Sequence, residues 1–149
     1  QRLTLRAPCL ADYPAYREVF LSDRARYMGG PFTEEEAFAD FCQAVAGWID
    51  QIRPQLDPRN AFLARVAVNV LGVIGRELTE GPAAERQAVS EMSALLGQTG
   101  DFEVLNEALC QAIETGAVDR DTPGLLSALR RMTEARIAID QPSYRADGT

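Results

Sequence analysis

Apolar residues recur at three- and four-residue spacing along most of the chain, and that period predicts helices. The widest stripe is Phe62, Leu63, Val66, Val70, Leu71, Ile74 and Leu78. Asp57-Pro58 supplies its cap and first-turn proline, and Gly81-Pro82 closes it. Within it, Gly72 and Gly75 point to a close helix crossing. A further helix is expected from about Ala83 to Leu96, with Val89, Met92, Leu95 and Leu96 apolar and Gly97 as C-cap. Asp101 caps the next, which carries Phe102, Leu105, Leu109 and Ile113. Thr122-Pro123 opens the last, with Leu125, Leu126, Leu129, Met132 and Ile137, and Asp140-Gln141-Pro142 ends it. Upstream, Asp12 can cap a helix running to about Leu21. Thr33 and Glu36 stand at capping-box spacing before Phe38, Phe41, Val45, Trp48, Ile49 and Ile52, a helix that Pro54 stops. Only Arg2-Leu3-Thr4-Leu5-Arg6 alternates with period two, as a short strand does. The expected fold is mainly α: a bundle of about four helices over 58–140, preceded by one short strand and two helices. The expected domains are 1–53 and 57–145.

Composition narrows the chemistry. The 149 residues are 46% hydrophobic and 25% charged, enough to bury a core. Aromatics make up only 7%, so aliphatic side chains are expected to fill most of it. A net charge of −7 argues against a nucleic-acid backbone or an anionic membrane as partner. There is no histidine, and all 15 basic residues are arginine. A catalytic imidazole, a His-ligated metal and a Schiff-base lysine are therefore excluded. Cys9, Cys42 and Cys110 are too scattered for a disulfide framework or a zinc site and fit reduced thiols in a cytoplasmic protein. No apolar run approaches the roughly 18 residues of a membrane span. Neither a G-x-x-x-x-G-K-[ST] nor a G-x-G-x-x-G phosphate loop occurs.

Ser90, Ser93, Ser127 and Ser143 have no activating base, so no catalytic nucleophile is assigned. Glu34, Glu35 and Glu36 suit a helix N-terminus, and Asp119 with Asp121 suits a solvated loop. One polar set stands out. Arg65, Asn69 and Arg76 share a stripe beside the apolar face of the central helix, where Arg65 and Asn69 are expected to be partly buried. Buried polar groups need partners. Glu77 is a local candidate, and Asp140 and Tyr144 are candidates after the last helix. The preferred reading is a polar clasp that fixes how the chain end packs. The second is an arginine-lined anion or acyl-group site. No metal or cofactor is expected.

Two segments resemble known families. Residues 2–49 carry Arg2-Leu3-Thr4-Leu5-Arg6, Leu10-Ala11-Asp12, Arg24-Ala25-Arg26-Tyr27-Met28-Gly29-Gly30-Pro31, Glu36-Ala37 and Trp48. They resemble the start of a GNAT-family N-acetyltransferase of the ribosomal-protein-acetylating type, implying a first strand and two substrate-side helices. That family binds acetyl-CoA through an R/Q-x-x-G-x-G/A loop at a helix N-terminus. Nothing after Trp48 supplies the loop, and Arg76-Glu77-Leu78 lacks its glycines, so no acetyl-CoA residue carries over. Residues 59–145 carry Phe62-x-x-Arg65-Val66-Ala67-x-Asn69-x-Leu71, Arg76-Glu77-Leu78 with Gly81-Pro82, Leu95-Leu96-Gly97, Leu105-Asn106 and Ile137-Ala138-Ile139-Asp140-x-Pro142-x-Tyr144. They resemble an uncharacterised family of small helical bacterial domains encoded beside, or fused to, aminoglycoside-phosphotransferase-like kinases and acyl-CoA dehydrogenases. Gln141 stands where that family usually has Asn. The resemblance implies a non-catalytic accessory domain serving a kinase-like or dehydrogenase-like protein. The rival expectation is a fused or truncated acetyltransferase.

Overall fold

Capping chemistry sets most helix starts. The computed structural model describes Arg6 and residues 8–144. Asp12 precedes helix α1 (Tyr13–Phe20) without a side-chain cap bond to it. Its carboxylate instead takes Nη1 of Arg6 at 2.7 Å and the backbone amide of Cys9 at 2.8 Å. The Arg6 guanidinium first, and the Cys9 amide second, hold the Asp12 carboxyl down at about 2. A 3-10 turn (Asp23–Met28) leads through Gly29, at φ 97°, to helix α2 (Glu34–Ile52). The expected capping box starts α2: Thr33 Oγ1 accepts from the Glu36 amide at 3.2 Å, and the Thr33 amide donates to Glu36 at 2.8 Å. As expected, α2 ends before Pro54, at Ile52, and a single 3-10 turn (Arg53–Gln55) follows.

Helix α3 (Pro58–Leu96) departs from the expected pair of helices. Asp57 caps it through the amides of Arg59 and Asn60. Gly81-Pro82 does not end it; Pro82 lies inside the helix. Proline there removes one backbone hydrogen bond and crowds the preceding turn, yet leaves the other bonds in place. Helices α4 (Phe102–Glu114) and α5 (Leu125–Asp140) follow. Residues 58–140 thus hold three helices, not about four. Asp101 caps α4 through the Val104 amide at 2.9 Å, and Gly97 and Gly116 take the positive φ expected after helix ends. Thr122-Pro123 lies in a turn, and α5 begins three residues after Thr122, behind Gly124 at φ 89°. The Thr122 hydroxyl closes the Asp119 loop, accepting from the Asp119 amide at 2.9 Å. Except for Arg6, which belongs to no regular element, the expected strand lies outside the described residues, among which there is no strand.

The chain divides into two compact units, 1–79 and 80–149, with the division falling inside α3. The core of the first unit combines aromatic rings with small aliphatic side chains. Tyr13 meets Phe38 edge-on at 4.9 Å, and Tyr16 stacks on Phe20 at 4.1 Å and meets Phe41 at 5.3 Å. Phe20 and Phe41 are buried with Ala25, Ala37, Ala39, Cys42, Ala46 and Ala64. Eleven aromatics suffice because most stand before Pro54, and offset rings pack densely beside alanines. The second unit has the expected aliphatic core: Ala88, Met92, Leu105, Leu109, Val118 and Leu125.

Candidate interaction surface

The N-terminal part of α3 has two apolar faces. Its inner face lies beside α2: Ala64 is buried, and a Cβ added to Gly75 would stand 3.8 Å from the Ala39 carbonyl oxygen. Leu71, Ile74 and Leu78 are half-buried. The opposite face is uncovered. Phe62, Leu63, Val66 and Val70 are exposed at 54%, 52%, 44% and 49%. Singly exposed apolar residues are ordinary, but four on one helical face form a patch of the kind that marks an interaction site.

Arginines border this patch. The Arg65 guanidinium lies 5.6 Å from the Phe62 ring centroid, a cation–π contact. Arg65 and Asn69, expected to be partly buried, are both exposed. Arg76 is half-buried and Glu77 exposed. The Arg76 guanidinium folds back over Gly72, where an added Cβ would come within 3.1 Å of Nη1. Gly72 thus makes room for a side chain of its own helix, while Gly75 faces α2. The other expected clasp members belong to the second unit. Asp140 pairs with Arg136 one turn earlier, Nε to Oδ2 3.3 Å, and Tyr144 is exposed beyond the end of α5.

Several polar contacts escape sequence reading because their partners are distant in the chain. Arg131 on α5 grips Glu91 on α3 in a two-pronged bridge, Nε to Oε1 2.5 Å and Nη2 to Oε2 2.7 Å. That bridge holds the Glu91 carboxyl below its ordinary value and Arg131 above its own. The Tyr16 hydroxyl donates to Asp40. Burial first, and that bond second, push the Tyr16 phenol above its ordinary range. Arg17 pairs with Glu34. Cys42 is buried, which raises its thiol, and Cys9 and Cys110 are exposed and free. Among the described residues there is no metal-ligating cluster of three or more His, Cys, Asp or Glu. No helix among them is long and apolar enough to cross a membrane.

The fold and this surface define a mainly helical domain that displays an apolar helix face. Residues 54–144, well over half of the chain, match the family described as Domain of unknown function (DUF6285), and the chain belongs to that family. The matched family's description names no kinase, dehydrogenase or acetyltransferase. No curated protein and no solved structure matches the chain.

Proposed function

We propose that this chain is a non-catalytic helical interaction domain that binds protein through the outer face of α3. The observation that carries the reading is the exposure of Phe62, Leu63, Val66 and Val70 on one side of a well-capped helix. Leaving such a face in water costs stability, roughly 25 cal/mol for each Å² of apolar surface left unburied. A folded protein keeps the face when something else covers it. The chemistry available points the same way: without histidine or lysine, general-base and Schiff-base catalysis lack their usual groups.

The enzymes to test first are a phosphotransferase-like kinase and an acyl-CoA dehydrogenase encoded next to the gene, as the resemblance of residues 59–145 suggests. Mixed with the purified chain, one of them forms a complex that survives gel filtration. The V66E/V70E double substitution, at exposed positions that leave the helix intact, weakens that complex at least tenfold. No complex with either enzyme, together with saturable acetyl-CoA binding by calorimetry, would return the chain to the acetyltransferase class.

A further inference from the structure

The outer face of α3 has a second regularity besides its exposure. Arg59, Leu63, Val66, Val70, Val73 and Glu77 are spaced 4, 3, 4, 3 and 4 residues apart. This is the a/d repeat of a two-helix seam, a face that follows the helix when it packs along another helix. The inner face uses different positions, Ala64 and Gly75; of the six seam residues Val73 is half-buried and the other five are exposed.

The set is also symmetric in position. Counting outward from Val68, Val66 mirrors Val70, Leu63 mirrors Val73, and Arg59 mirrors Glu77. Related by a two-fold axis that runs between the helices at the level of Val68, two antiparallel copies place apolar residues against apolar residues at the middle four levels. At each end, an arginine meets a glutamate. Arg59 and Glu77 are both exposed, at opposite ends of the stripe and about 27 Å apart along the axis. A parallel pairing would set Arg59 against Arg59 and Glu77 against Glu77, and like charges at a seam select against that register. An isologous pair of this kind has the geometry of a closed two-fold dimer.

We propose that, in the free protein, a second copy of this chain covers the outer face of α3, as an antiparallel helix pair centred on Val68 and closed by two Arg59–Glu77 pairs. The proposal rests on the reading of this face as a protein-binding surface, and it names the occupant. An enzyme partner would then displace the second copy from the same residues.

Sedimentation of the full chain over a wide concentration range tests the proposal. The expected species has about twice the 16.3 kDa chain mass, dissociating on dilution. R59E alone and E77R alone each set like charges at both ends and weaken self-association roughly tenfold or more. The double variant R59E/E77R restores it, because the pairs re-form with reversed sign. V66E removes self-association without loss of helical signal. A wild-type chain that stays at the monomer mass throughout would overturn the proposal. So would a double variant no better than the singles. If that monomer still binds the kinase or dehydrogenase through Val66 and Val70, only the self-pairing fails; if it binds neither, the interaction reading fails with it.

Discussion

Met92 and Leu105 have no exposed surface, and each fills the core of the second unit from a different helix. Truncating either to alanine removes buried methylenes and leaves a cavity, so M92A and L105A each lose about 2–5 kcal/mol in denaturant melts. Losses well under that range would contradict the close packing of these two side chains. Arg65 belongs to the opposite category. A buried clasp with Asp140 predicts a cost of about 3–5 kcal/mol for R65A, and an exposed arginine predicts about 0–1 kcal/mol. The exposure of Arg65 predicts the smaller loss, and a non-additive double substitution with D140A would restore the clasp. The paired carboxylates set the acid limb. Asp12 and Glu91 have lowered folded values, so their stabilisation is complete above the ordinary carboxylate range. It is lost as pH falls through the lowered values, for Asp12 between 3.8 and about 2. E91Q therefore flattens the fall of the denaturant midpoint on acidification; an unchanged slope would show that the Arg131 bridge does not persist in solution. The Thr33–Glu36 box and the Asp101 cap are legible in the sequence because each spans three residues. The Glu91–Arg131 bridge is not, because forty residues separate its ends and no local pattern links them.

Helix α3 concentrates both the success and the failure of periodicity as a guide. The spacing from Phe62 to Leu78 identifies a helix, since 3.6-residue recurrence has no other simple explanation. It does not say which apolar positions a neighbour covers. Ala64 and Gly75 face inward, whereas Phe62, Leu63, Val66 and Val70 do not, and only the packing of α2 separates the two groups. Gly81-Pro82 is misleading in a different way. That dipeptide ordinarily closes a helix, but here the helix continues through Pro82 despite its missing amide and the crowding of the preceding turn. Because an interior proline costs about 3 kcal/mol relative to alanine, P82A should raise stability by up to that amount. A neutral result would place Pro82 at a helix start, where its missing amide is harmless. At the head of α2, T33A should cost about 1 kcal/mol through the lost cap, without changing the fold.

At the scale of the molecule, two divisions of the chain differ. The family match begins at residue 54, whereas the compact units divide at residues 79 and 80. A chain shortened to residues 57–149 separates them by hydrogen exchange. The packing of Ala64 and Gly75 beside α2 predicts that amides over 58–79 lose protection while those over 83–140 keep it. Unchanged protection over 58–79 would mean that residues 57–145 stand alone. In either case the fold leaves the outer face of α3 open, and we propose that another protein chain uses it. Sedimentation of the wild-type chain beside V66E/V70E, alone and with the candidate enzymes, tests it most directly. The wild-type chain is expected to associate, and the double variant to remain a monomer of 16.3 kDa with full helical content. Identical sedimentation of the two proteins under every condition would contradict it.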